Sequence, residues 1–172
     1  MTVTTTDRGI EGSRDRDTRA DGGPRDSPIP PSLDHSIPPA GRLLAVDWGT
    51  KRIGLAVTDP TRTIAQPLAT LTRRAGRRFP LQQLRPYLDE FRPVGIIVGL
   101  PLTPEGAEGA AAAAAREVAG LIAEKTGLPV VLFDERLTTA RAAEADGAGG
   151  RVDRDQRAAS VLLQTYLERQ RR

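Results

Sequence analysis

The stretch Leu43-Leu44-Ala45-Val46-Asp47-Trp48-Gly49, followed after Thr50-Lys51 by Arg52-Ile53-Gly54-Leu55-Ala56-Val57-Thr58, decides the fold. Leu43–Val46 is a short continuous apolar run, as in a strand buried on both faces, and Asp47-Trp48-Gly49 reads as a tight turn after it. Arg52–Thr58 is a second strand, near enough to pair with the first as a hairpin. Ile64–Leu71 reads as a third, kept short or at an edge by Pro67. Phe79, Leu81, Leu84, Tyr87, Leu88 and Phe91 recur at helical spacing and predict an amphipathic helix over 78–91 despite Pro86. Val94–Val98 is again a continuous apolar strand. Glu105–Lys125 reads as a long Ala-rich helix stopped by Gly127-Leu128-Pro129. Val130–Phe133 is a fifth strand, Asp146–Gly150 a Gly-rich mobile loop, and Asp155–Arg169 a last helix with one apolar face. The order βββαβαβα implies an α/β domain: a mixed five-stranded sheet, antiparallel first and parallel later, with helices on both faces.

Outward from this region the chain changes character. Residues 1–40 are Gly, Pro, Ser, Thr, Asp and Arg, with six prolines between 24 and 39. Such a segment buries too little apolar surface to offset its conformational entropy, so 1–40 is expected to be a disordered tail and 41–172 the folded domain. The tail carries five Arg against seven acids. The other 132 residues therefore hold 20 cations against 15 acids, net +5 out of a whole-chain +3. That balance suits a polyanionic partner. Equally, 23 of the 25 cations are Arg, and an Arg-rich genome alone yields a basic protein.

The inventory excludes several chemistries. There is no Cys, hence no disulfide, thiol nucleophile or thiolate metal site, and one His, His35, which rules out histidine clusters and a Ser-His-Asp triad. No apolar run approaches the roughly 18 residues of a membrane-spanning helix, and the opening MTVTTTDRGIEGSRDRD carries no signal-peptide core. The expected location is the cytoplasm, and the expected chemistry is that of carboxylates, hydroxyls, Arg and Lys.

Acids gather where strands end. Asp47 closes the first strand, Asp134 and Glu135 close the fifth, and Asp153 and Asp155 open the last helix. Ligand sites in open α/β sheets lie at the carboxyl ends of strands. Carboxylates packed there repel one another unless a cation neutralises them, and hard divalent ions prefer oxygen ligands. Each acid also has a plainer reading: Asp155 as a helix N-cap, Asp134 or Glu135 as a strand end paired with Arg136.

Four segments in order carry a family resemblance. They are Leu44–Gly54, Ile97-Val98-Gly99-Leu100-Pro101-Leu102, Asp134-Glu135-Arg136-Leu137-Thr138-Thr139, and Asp155 with Ala158-Ala159 and Leu162–Leu167. From about Arg42 to Leu167 the chain resembles the YqgF/RuvX family, Holliday-junction-resolvase-like proteins regarded as pre-16S rRNA nucleases, with an RNase H-like fold. The resemblance implies that Asp47, Glu135 and Asp155 are catalytic metal ligands for Mg²⁺ or Mn²⁺, with Asp153 the alternative to Asp155. It implies that Gly49 and Gly54 keep side chains out of the path of a phosphate backbone, and that Lys51, Arg52 and Arg136 meet phosphate.

The implied activity is metal-dependent phosphodiester hydrolysis in structured nucleic acid. RNA, namely the 5′ end of pre-16S rRNA, is favoured over branched DNA, because no apolar face is left over for the fixed dimer a junction resolvase needs. The expected state is thus a monomer or weak homodimer. The Arg73-Arg74-Ala75-Gly76-Arg77-Arg78 run either holds the flanking strand, through Arg73 and Arg74 first, or is a solvated loop. Trp48 either stacks on a base or lies in the core. Two rivals remain: an actin-like ATPase or sugar kinase, which shares Asp-x-Gly-Thr but needs two lobes, and a non-catalytic RNA-binding assembly module.

Overall fold

The computed structural model describes residues 37–73, 79–138 and 154–171. Five strands form one sheet: β1 (Leu43–Trp48), β2 (Arg52–Thr58), β3 (Ala65–Thr72), β4 (Gly95–Leu100) and β5 (Val130–Asp134). Three helices complete it: α1 (Leu81–Phe91), α2 (Ala110–Thr126) and α3 (Arg154–Gln170). The strand order is β3-β2-β1-β4-β5. β1–β2 and β2–β3 pair antiparallel, whereas β1–β4 and β4–β5 pair parallel. This is the mixed sheet expected from the hairpin-linked leading strands and the helix-linked later ones.

Alternation along β1 explains why both faces are covered. Leu44 and Val46 point into a core shared with Leu84 of α1 and Val118 and Ile122 of α2. Leu43 and Ala45 point the other way, into a core built with Ala159, Leu162, Leu163, Tyr166 and Leu167 of α3. Small residues Ala45 and Ala56 sit beneath α3 in the middle of this face, where Leu43, Ile97 and Phe133 flank them. Phe133 of β5 meets Tyr166 edge-on, with ring centroids 5.5 Å apart. Gln164 on α3 accepts a hydrogen bond from the Ala65 backbone N–H at 3.0 Å and ties the helix to the start of β3.

Several boundaries differ from the sequence expectation. Asp47 and Trp48 do not begin a turn. They continue β1, paired with Gly54 and Ile53, and the turn is only Gly49–Lys51. The long helix starts at Ala110, not Glu105. Pro104 and Gly106, the latter at φ +88°, bend residues 101–109 into a loop closed by a Leu102–Glu108 bridge. Phe79 is buried but precedes α1, which begins at Leu81. Ile37, on the tail side of the expected boundary, packs with the α3 core. Residues 1–36, the Gly-rich loop at 146–150, Arg74 and Asp153 lie outside the described residues. Among those described, no helix is long and apolar enough to cross a membrane.

Leu163 is fully buried against the sheet, while Ile64 is 55% exposed. Leu163→Ala is therefore expected to lower unfolding free energy by about 2–5 kcal/mol in urea titrations. Ile64→Ala should stay within about 0.5 kcal/mol of the parent. Equal effects would contradict the placement of α3.

Candidate active site

Asp47 lies on the α3 face of the sheet because it is two residues on from Ala45 and four from Leu43. Its antiparallel partner is Gly54. A Cβ at Gly54 would overlap the backbone carbonyl of Asp155 and crowd Ala159. The glycine is thus the seat of the first turn of α3, and this close approach brings Asp155 beside Asp47. The expectation that Gly54 clears a path for phosphate is corrected here: what it clears is the helix. Gly49 likewise closes the β1–β2 turn, its N–H donating to the Arg52 carbonyl at 3.0 Å.

Glu135 reaches the same place from the other side. It follows β5 as the first residue of a single 3₁₀ turn, Glu135–Leu137. Its carboxylate lies over Gly99 of β4, where any Cβ would collide with Oε1. Gly99 stands one step beyond the Val46–Val98 pair, hence next to Asp47 across the parallel ladder. Asp47 and Glu135, with Thr138, Ala158, Val161 and Leu162, line a cleft of about 90 Å³. A larger open cleft, about 320 Å³, lies between α1 and the end of α2, among Leu81, Arg85, Leu88, Arg92 and Lys125. Asp89 is its only acid, so the carboxylate chemistry belongs to the smaller one.

Burial and like charge govern the electrostatics of the small cleft. Burial, then the charge of Asp155, raises the pKa of Asp47 to about 6. Burial, then Asp47 and Asp134, raises that of Glu135 to about 7. The apolar wall of α3 removes water from both, and each carboxylate resists the ionisation of its neighbour. Asp155, Asp47 and Glu135 thus form a chain of mutually repelling charges. Among the described residues, no three acids close into a metal cage. The donor set is nevertheless all carboxylate oxygen, the kind a hard dication takes, and the repulsion is what such a charge would relieve. Asp155 also lies within the first turn of α3, so the N-cap reading of it does not hold.

The expected phosphate-binding cations divide. Arg52 sits at the site, Nη1 being 3.5 Å from Asp155 Oδ2, and Lys51 is exposed in the adjoining turn. Arg73 instead stacks over Trp48, its guanidinium carbon 4.1 Å from the ring centroid, and its backbone N–H donates to the Lys51 carbonyl. Trp48 follows Val46 onto the α1/α2 face and packs near Phe79, away from Asp47. The base-stacking reading of Trp48 therefore gives way to the core one. Arg136 is gripped by Asp134, with Nε 3.0 Å and Nη2 2.6 Å from Oδ2. Thr138, which lines the cleft and donates to the Glu135 carbonyl at 2.6 Å, was not singled out from sequence. Its place in the Asp134–Thr139 segment was the available signal.

The architecture is that of an RNase H-like resolvase fold. Thermus thermophilus RuvC, solved with a Holliday junction substrate, superposes with a TM-score of 0.53, covering 76% of this chain and 95% of its own. At 16% identity, that likeness speaks for the fold alone. The family described as "RuvX: Holliday junction resolvase" matches residues 41–169, and the chain belongs to it. Similar proteins include one from Koribacter versatilis, 41% identical over 137 residues, spanning 75% of this chain and 88% of the relative. Another, from Streptomyces coelicolor, is 40% identical over 140 residues, spanning 76% and 82%. Both are named "Putative pre-16S rRNA nuclease".

The raised acids predict an unusual pH dependence. Their folded pKa values lie above the ordinary ones, so the folded chain binds protons more tightly than the unfolded chain. The stability they contribute is present below about pH 4 and is lost as pH rises through 6 and 7. In EDTA, Asp47→Asn should be more stable than the parent at pH 8 by about 1–3 kcal/mol, with the gap closing towards pH 4.5. Melting curves across that range check it. An Asn variant less stable at pH 8 would contradict the charge cluster.

Proposed function

We propose that this chain is a divalent-metal-dependent nuclease hydrolysing phosphodiester bonds in structured RNA, with the 5′ end of pre-16S rRNA as substrate. In this reading residues 41–172 form the catalytic domain after a tail at 1–40, and the protein works in the cytoplasm as a monomer or weak homodimer. One observation carries it: on one face, Asp47 of β1 stands in charge contact with Asp155 at the start of α3 and with Glu135 at the end of β5. The names of the relatives supply the substrate, and the net +5 of residues 41–172 suits an RNA partner.

Asp47, Glu135 and Asp155 would hold Mg²⁺ or Mn²⁺. When bound, such an ion supplies an activated water at neutral pH and neutralises charge on the phosphate oxygens. The residues do the rest. Asp47 on a rigid strand and Glu135 seated over Gly99 at the end of β5 fix where the acids stand. The α3 wall of Ala158, Val161 and Leu162 keeps bulk water from the acids and strengthens every charge interaction there. Arg52, beside Asp155, and Lys51, exposed in the neighbouring turn, would receive the phosphates flanking the cut. The family match over residues 41–169 favours this reading over the ATPase and kinase rival.

Asp47→Asn, Glu135→Gln and Asp155→Asn should each lower RNA cleavage at least about 100-fold, equivalent to about 2.7 kcal/mol of barrier, without loss of fold. EDTA should abolish cleavage by the parent. RNA affinity should fall at least about tenfold between about 50 and 200 mM salt as counterions are released. End-labelled pre-16S RNA and a four-way DNA junction, offered in parallel, read all three effects. Paired symmetric nicks in the junction with RNA uncut would overturn the substrate, and full activity of all three acid variants would overturn the site.

A further inference from the structure

Arg136 directly follows Glu135, and its family resemblance makes it a phosphate anchor. Its contacts argue for another role. Nε lies 3.1 and 3.0 Å from the two carboxylate oxygens of Asp134, and Nη2 lies 2.6 Å from Oδ2. Asp134 Oδ1 also accepts the Arg136 backbone N–H at 3.0 Å. The forked edge that would grip a phosphate is thus occupied by a carboxylate of the same strand end. The remaining arm, Nη1, donates to the Pro104 carbonyl at 3.3 Å, 32 residues away in the chain.

Pro104 belongs to a loop with its own internal bonding. Thr103 N–H donates to the Ala107 carbonyl at 2.9 Å, and Gly106 N–H to the Thr103 carbonyl at 2.8 Å. Gly106 adopts φ +88°, and a Cβ there would sit 3.1 Å from Arg136 Nη1, so the loop crest rests on the guanidinium. The loop leaves β4 immediately after Gly99 and Leu100, and Gly99 is the residue beneath the Glu135 carboxylate. A ring therefore closes: β4, the 101–109 loop, Arg136, Glu135, and back to β4.

We infer that Arg136, together with Asp134, is a positioning residue that clamps the Pro104–Gly106 crest to the end of β5 and so holds Glu135 over Gly99. It does not take substrate phosphate. The kinetic part of this inference rests on the nuclease reading; the clamp itself does not.

The test uses the full chain and the variants R136Q, R136K, D134N and D134N/R136Q. Amide exchange at Thr103, Gly106 and Ala107 should accelerate at least about tenfold in R136Q and in D134N, and no further in the double variant, since the Asp134–Arg136 pair acts as one unit. RNA affinity in EDTA and its salt slope should stay unchanged within about twofold. Cleavage should lose about tenfold or more in kcat with KM nearly constant, and R136K should fail to rescue because an ammonium cannot form the bidentate fork. A phosphate anchor predicts the opposite pattern. R136Q would weaken RNA binding and lower the salt slope by about 1, while D134N would bind as well as the parent or better. That pattern, or unchanged loop exchange, overturns the inference. Should the parent cleave no RNA at all, the nuclease reading fails, and the exchange and binding arms still decide the clamp.

Discussion

Everything at the site depends on how closely the first turn of α3 can approach β2. The helix backbone at Asp155 occupies the space where a side chain at residue 54 would be. Because Gly54 is the antiparallel partner of Asp47, the helix can descend onto the sheet only where the strand acid stands. Small residues repeat the theme on the same face, with Ala45 and Ala56 under the helix and Gly99 under Glu135. The large side chains of the other face, Leu44, Val46, Ile96 and Val98, would not permit it. The sheet is thus asymmetric by design of its alternation: one face is a thick core, the other a close-packed platform for acids.

That closeness has an electrostatic consequence. Packing carboxylates together against Ala158, Val161 and Leu162 raises the pKa of Asp47 and Glu135 towards neutrality. Such an arrangement works against folding in the absence of a compensating cation, which is the usual relation between a functional cluster and its scaffold. Asp134, by contrast, is held below the ordinary carboxylate range, chiefly by the hydrogen bond from Arg136. Two adjacent acids in the chain therefore differ in character: Asp134 is held ionised by Arg136, whereas burial and the charges of Asp47 and Asp134 push the pKa of Glu135 up.

The strand order and the two helical layers were legible because apolar runs and a 3.6-residue period are properties of the sequence itself. The three acids were legible for a related reason, since Asp47 and Glu135 fall where an apolar strand run ends and Asp155 where the last helical period begins. What escaped the sequence depended on contacts between distant segments. Asp47 and Trp48 extend β1 because Ile53 and Gly54 are there to pair with them, which no local rule states. Trp48 faces the α1/α2 core by the same alternation that turns Asp47 towards α3, and Arg73, just after β3, stacks over its ring. The Ala-rich helix begins five residues late because Gly106 and Glu108 are drawn into the 101–109 loop. The tie of Arg136 to Pro104 spans 32 residues and leaves no mark on periodicity.

The central proposal is that Asp47, Glu135 and Asp155 form one divalent-cation site in which Asp47 and Glu135 are partly protonated when it is empty. Calorimetric titration of the protein with Mn²⁺ at pH 6.5 and at pH 8.5, in buffers of different ionisation heat, measures binding and proton release together. The account predicts saturable binding with net proton release at pH 6.5, when Asp47 and Glu135 titrate, and almost none at pH 8.5. Binding should be lost in Asp47→Asn. Saturable binding that survives in Asp47→Asn, or that releases no protons at pH 6.5, would contradict it.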